Sequence, residues 1–122
     1  MAEKKYETIS SDALASRIQR TSPDNEDPNA GYALVNVLGR EQFDRERIPG
    51  SANIPQGQED DFEKRFAKDK EIIVYCGSPE CDASEKAAEE LARRGFQRVL
   101  DFEGGVSEWR DAGHPLTGAS AS

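Results

Sequence analysis

The stretch EIIVYCGSPECDAS, residues 71–84, decides the fold. Ile72 to Tyr75 is an unbroken apolar run rich in β-branched residues, the pattern of a strand covered on both faces. It passes at once into a loop that carries both cysteines of the chain, Cys76 and Cys81, together with Gly77 and Pro79. A helix follows. Ser84 to Arg94 sets Ala87, Ala88, Leu91 and Ala92 on one stripe, puts Arg93 and Arg94 in the last turn and ends at Gly95. Asp82, three residues ahead of Glu85, and Ser84 are alternative caps for its start.

The same alternation extends in both directions. Upstream, Ser10 or Ser11 caps a helix that runs to about Arg20 with Leu14 and Ile18 on one face. TSPDNEDPNAG, residues 21–31, has no large apolar side chain and reads as a long, solvated, mobile loop. Tyr32 to Leu38 is another buried-strand pattern, a short helix is expected around Phe43, and SANIP gives a brief strand stopped by Pro55. EDDFEKRFAKDK places Phe62 and Phe66 four apart on a helix, with acids at its start and lysines at its end. Downstream, Val99 to Phe102 is a strand and Val106 to Ala112 a last helix. Strands alternating with helices over short connections predict an α/β domain, a mostly parallel sheet with helices on both faces.

Composition narrows the function. A chain of 122 residues suits one domain, and 24 acidic against 16 basic residues give a net charge of −8, which argues against nucleic acid or an anionic membrane as partner. No apolar run has the length of a signal peptide core or a bilayer-spanning helix, so a soluble cytoplasmic protein is expected. A disulfide across a Cys-x4-Cys spacing would constrain the unfolded chain little. In a reducing compartment such paired thiols are redox, catalytic or metal-binding groups. Zinc requires four ligands, or three and a water; the remaining soft ligand, His114, reads as part of a turn, so no metal and no cofactor are expected.

Ligands of open α/β sheets gather outside the carboxyl ends of the strands, which is where Cys76 stands. The loop after it leads into a helix start, whose free N–H groups and dipole favour a thiolate, a persulfide or an oxyanion. The plainer alternative makes Cys76 a small buried hydrophobe and Cys81 an incidental loop residue. Two scarce thiols sharing one Gly/Pro loop favour the chemical reading.

These residues resemble a known family. VNVLGREQFDRERIPGSANIP (35–55), IIVYC (72–76) and SEKAAEELARRGFQRVLDFEGGVSEWRDAGHPL (84–116) are similar, in order and spacing, to the signature elements of single-domain rhodanese-like sulfurtransferases, and ISSDALASRI resembles the family's opening element. The resemblance implies a central, mainly parallel five-stranded sheet flanked by helices. It gives a domain over residues 6–117, between a flexible start (1–5) and tail (118–122). It implies that Cys76 takes up a sulfane sulfur as a persulfide and passes it to a thiol or other nucleophile. The cradle would be Gly77, Ser78, Glu80, Cys81, Asp82 and Ala83, with Ser84 at the helix start and Arg47 as a rim charge for an anionic donor. The partners implied are a small sulfane-sulfur donor and a thiol acceptor, with a partner protein as one form of the latter, and the chain is expected to be a monomer.

Departures from the family pattern are informative. Members usually have a loop of the form C-R-S-G-x-R-S; here Gly77 takes the first basic position, Glu80 and Asp82 are acidic, and no Arg or Lys occurs before Lys86. Those acids oppose a dianion such as thiosulfate and favour the thiol form of Cys76. The longer loop approaches phosphatase and arsenate-reductase lengths, but the arginine those chemistries need is missing. Asn36, Leu38 and Arg47 stand where aspartate, arginine and histidine are common. Cys81 is an addition, able to attack a Cys76 persulfide or sulfenic acid and close a disulfide. Two alternatives therefore remain beside the enzyme: a thiol redox or sensor module, and a catalytically weak protein-binding module.

Overall fold

The computed structural model describes residues 6–119. Five strands form one all-parallel sheet: β1 (Glu7–Thr8), β2 (Tyr32–Asn36), β3 (Ala52–Asn53), β4 (Glu71–Tyr75) and β5 (Arg98–Phe102), in the spatial order β1-β5-β4-β2-β3. Between them run α1 (Ser11–Arg20), α2 (Arg40–Arg45), α3 (Asp60–Arg65), α4 (Ala83–Arg93) and α5 (Gly105–Asp111). The α/β class and the five-stranded parallel sheet expected from the sequence are both present. β1 carries only Glu7 and Thr8, both exposed, and so offers no apolar pattern to read.

Period-two alternation of the central strand divides the core in two. Ile72, Val74 and Cys76 pack with Phe62, Phe66, Ala87, Ala88 and Leu91 on the α3 and α4 side. Ile73 and Tyr75 pack with Leu14, Phe102, Val106 and Trp109 on the α1 and α5 side. β4 lies between β2 and β5, so its carboxyl end opens at the middle of the sheet edge rather than at a flank. The brief β3 is fastened there by side chains: the Asn53 amide donates to the carbonyls of Asn36 (3.1 Å) and Leu38 (2.8 Å). Buried Tyr75 accepts the Ile48 N–H at 3.0 Å and shares a hydrogen bond with the Ser51 hydroxyl at 2.8 Å. The IPGSANIP segment is thus bound to the strand that bears Cys76.

Several local expectations are corrected. α3 ends at Arg65, and Phe66 leaves it in extended conformation, so Lys68 and Lys70 are not its last turn. Lys70 is instead 1 % exposed. Its ammonium donates to the carbonyls of Asp24 (2.7 Å), Ala30 (2.9 Å) and Asp27. Residues 21–31 therefore form a hydrogen-bonded cap over Lys70; the Asp24 and Asp27 side chains close two local turns within it, and Asn25 accepts the Leu34 N–H at 2.9 Å. At the other end, Ala119 N–H reaches the Asp44 carbonyl at 2.9 Å, so the chain stays bound to α2 just past residue 117. Residues 1–5 and 120–122, the rest of the expected flexible ends, lie outside the described residues. No helix among the described residues is long and apolar enough to cross a membrane.

Lys70→Met keeps the stem and removes the charge that gathers three carbonyls. Unsatisfied buried acceptors cost about 1–3 kcal/mol apiece, part of which the exposed loop recovers from water, so a destabilisation of about 3 kcal/mol is expected. Urea unfolding is the check: the midpoint falls and amides of 26–30 exchange faster. A shift worth less than about 0.5 kcal/mol contradicts the cap.

Candidate active site

Cys76 is the first residue after β4 and is fully buried. Its side chain falls on the α4 face by strand alternation, which directs it at the helix that begins seven residues later. The thiol donates toward the Cys81 carbonyl at 3.3 Å, with the Ser84 hydroxyl at 3.5 Å. Between them the loop bends in a turn closed by Cys81 N–H to Ser78 O at 3.0 Å. Both cysteines are free thiols, and half-buried Cys81 packs against the cluster that contains Cys76.

The loop is anchored from behind by α5. Val106 N–H donates to the Cys76 carbonyl at 3.0 Å and Ser107 N–H to the Gly77 carbonyl at 2.9 Å. This close approach requires the glycine between strand and helix: Gly105 has φ +64°, and a Cβ there would stand 2.5 Å from the Cys76 carbonyl oxygen. The "GGVSEW" stretch thereby supports the backbone of Cys76 and Gly77.

Burial pushes the Cys76 thiol above its ordinary range, and a hydrogen bond and charge from the Cys81 thiol add to the effect. Ser84 opposes both, through its hydroxyl and its backbone N–H at the helix start. The rise expected from the sequence is present, with a different cause: neighbouring Cys81 and the apolar setting rather than Glu80 and Asp82. Glu80 is exposed, and Asp82 is exposed and pairs with Lys86 at 3.4 Å. A raised thiol pKa means that neutral Cys76 contributes stability below the ordinary thiol pKa, which is lost as pH climbs through the higher folded value. Thiolate reactivity runs the other way and grows through the same window.

Ser84→Ala removes the hydroxyl that favours the thiolate. Hydrogen bonds to charged groups are worth about 1.5–3 kcal/mol, so alkylation of Cys76 at neutral pH should slow by about tenfold or more, with the pH profile displaced further upward. Iodoacetamide kinetics followed by peptide mass decide this; an unmoved profile contradicts the role given to Ser84.

Ser84 itself is corrected as a cap. Asp82 holds the N-cap position of α4 without a side-chain cap bond, and Ser84 is turned inward, 1 % exposed. Gly77, Ser78 and Ala83 are half-buried along the loop. Arg47 is engaged elsewhere. Its guanidinium stands 4.8 Å over the Phe43 ring and donates to the Phe43 carbonyl at 3.2 Å, and its backbone pairs with Thr117. None of the described contacts brings it to Cys76.

Two recesses flank the loop. One, of about 270 Å³, is lined by Cys81, Asp82 and Ser84, three residues expected at the site from the sequence, with Pro79, Glu85, Asp101 and Glu103 around them. The other, of about 230 Å³, has Leu38, Gly77 and Val106 as inner wall and Gln42, Arg45, Glu46 and Arg110 toward solvent. The signal for the second was helical spacing: Gln42 with Arg45 and Glu46, and Val106 with Arg110, stand three or four apart on α2 and α5 or just past the end of α2. A larger hollow of about 390 Å³ lies at the opposite edge of the sheet, between Tyr6, Glu71 and Leu100, away from both cysteines. Among the described residues, no three His, Cys, Asp or Glu side chains converge as a set of metal ligands.

Residues 12–112 match the model of the family described as "Rhodanese-like domain". The chain is similar to thiosulfate sulfurtransferase GlpE of Pseudomonas syringae pv. syringae, 31% identical over 80 residues, covering 66% of this chain and 74% of that one. It is also similar to the HTH-type transcriptional regulator Rv0324 of Mycobacterium tuberculosis, 32% identical over 83 residues; these are 68% of this chain but 36% of the regulator, so the chain spans about a third of that relative's length. Among solved structures, the BH2092 protein from Bacillus halodurans superposes with a TM-score of 0.80 at 31% identity, over 96% of this chain and 80% of that one. The family match runs from α1 to the end of α5 and takes in every strand except β1, and the chain belongs to the rhodanese-like domain family.

Proposed function

We propose that the chain is a sulfurtransferase that works through a persulfide on Cys76. The observation that carries this reading is the position of the Cys76 thiol, at the carboxyl end of the central strand, against Ser84 in the first turn of α4. In the forward step the Cys76 thiolate attacks the outer sulfur of a donor R–S–SH. The donor's S–S bond breaks, R–S⁻ leaves and takes a proton, and Cys76–S–SH remains. An acceptor thiolate then attacks the terminal sulfur and returns Cys76 as thiolate. The Ser84 N–H and hydroxyl stabilise the anionic sulfur in both directions.

Cys81 provides a second exit. Its thiolate can attack Sγ of Cys76, the inner sulfur of the persulfide, expelling HS⁻ and leaving a Cys76–Cys81 disulfide, which an external thiol must reduce. The contact between the two thiols favours this as a side path or redox switch on the same site. Sulfide release from wild type and its absence from Cys81→Ser separate this path from simple transfer.

Thiosulfate is a poor donor in this reading, because Gly77 leaves the loop without its basic residue. Gly77 has room for one: a Cβ there would meet only Leu38 Cδ1, at 3.8 Å. Gly77→Arg adds a charge-assisted donor worth about 1.5–3 kcal/mol, so kcat/KM for thiosulfate should rise by about tenfold or more. Initial rates against thiosulfate concentration test it, and an unchanged kcat/KM contradicts the reading of the loop. The reading further takes the chain as a monomer acting in a reducing cytoplasmic setting on a thiol acceptor, small or protein-borne.

A further inference from the structure

We propose that the recess bounded by Arg45, Glu46 and Arg110 recognises the zwitterionic end of an amino-acid persulfide, and so selects the sulfur donor. The inference rests on the sulfur-transfer reading of Cys76 and names the donor class for it.

The recess adjoins the loop that follows Cys76. Gly77, one residue beyond Cys76, forms its inner wall together with Leu38, which packs against the core cluster that includes Cys76. Its outer part is polar and of mixed sign, with two guanidinium groups and one carboxylate. Arg110 on α5 pairs with Glu46 just beyond the end of α2, and Arg45 pairs with Glu41 at 2.8 Å. Both arginines are substantially exposed, with 49% and 62% of their side-chain surface open. A guanidinium has five N–H donors in a planar fork, so a single carboxylate partner leaves others free for a ligand carboxylate.

Size and charge then define the ligand. A recess of about 230 Å³ is below the roughly 300–1,000 Å³ of sites for drug-sized molecules, and fits a group of amino-acid size. Two cations and one anion on the wall match a carboxylate and an ammonium on the ligand, while Leu38 and Val106 offer an apolar floor to the methylene between them and the sulfur. An inorganic dianion leaves Glu46 facing like charge. A keto acid offers the arginines a carboxylate but brings no cation to Glu46, which Arg110 alone then neutralises. Cysteine persulfide satisfies all three. Its outer sulfur is attacked by Cys76, its S–S bond breaks, and cysteine thiolate leaves and is protonated.

The test compares cysteine persulfide, ethyl persulfide and thiosulfate as donors to the full chain. In wild type, kcat/KM for cysteine persulfide should exceed that for ethyl persulfide by about tenfold or more, and Arg110→Gln should collapse this ratio through KM rather than kcat. Glu46→Gln should lower the rate with cysteine persulfide and raise it with thiosulfate, opposite signs that a general structural defect does not produce. Arg93→Gln, an exposed charge change on α4, should leave the ratio intact. A second arm needs no sulfur transfer. S-methylcysteine, which cannot donate sulfur, should shift the amide resonances of Gly77 and Arg110 in wild type and not in Arg110→Gln. Unmoved resonances, or a donor ratio that survives Arg110→Gln, overturn the inference while leaving transfer through Cys76 standing. If no donor loads Cys76 yet S-methylcysteine still shifts these amides, the functional reading fails and the recognition site stands.

Discussion

Cys76→Ala should abolish sulfur transfer from any donor, a loss of about 10³–10⁶-fold on the scale seen when a covalent nucleophile is removed. The effect is chemical, because the fold tolerates the change. The thiol is buried, but its hydrogen bonds run to Cys81 and Ser84, close by in its own loop and helix start, and losing one buried sulfur costs about 1 kcal/mol. Circular dichroism and the melting midpoint should therefore stay close to wild type while turnover vanishes. Cys81→Ser should behave differently: it retains transfer, and the persulfide on Cys76 should live longer because the competing internal attack is gone. Residual turnover in Cys76→Ala within a factor of ten of wild type contradicts the assignment of the nucleophile.

Gly105→Ala should also cost much of the activity without touching a reactive atom. Two penalties combine at this position. A left-handed φ costs a non-glycine residue roughly 1–2 kcal/mol, and the added Cβ collides with the Cys76 carbonyl at 2.5 Å and with Gly77 and Ser78 backbone atoms at 2.8 Å. α5 must withdraw, losing its two N–H bonds to the Cys76 and Gly77 carbonyls. A destabilisation of about 3–5 kcal/mol and a drop in transfer of at least about a hundredfold are expected. Gly113→Ala separates the two penalties, since Gly113 has φ +86° with nothing within 4 Å of its would-be Cβ. It should lose about 1 kcal/mol of stability and keep full activity. Equal loss of activity in both variants contradicts the anchoring role of α5.

The fold was legible wherever burial imposes a pattern. Ile72 to Tyr75 and Tyr32 to Val35 are covered on both faces and form continuous apolar runs, and the Ala87, Ala88 and Leu91 stripe marks the helix that lies on them. What escaped the sequence has little side-chain pattern. β1 is two exposed residues paired in parallel with β5. The cap over residues 21–31 depends on Lys70, whose burial is achieved by carbonyl oxygens that any sequence carries. At the site, Cys76 and the helix start were legible from order along the chain. Ser84 was read as a cap because serine at a helix start usually is one; its inward turn toward the thiol depends on where the loop ends, which sequence leaves open by about two residues. Arg47 is a rim charge only by resemblance, standing where the family often has histidine, while Arg45 and Arg110 reach the recess from helices that meet only in the fold.

The central claim is that sulfur resides on Cys76. The most direct measurement is the intact mass of wild type, Cys76→Ala and Cys81→Ser after brief exposure to cysteine persulfide, with peptide mapping to place any added mass. One added sulfur on the peptide bearing Cys76, in wild type and in Cys81→Ser but not in Cys76→Ala, is the predicted result. Added sulfur confined to Cys81, or a chain that takes up no sulfur while its thiols remain reduced and alkylatable, contradicts the account.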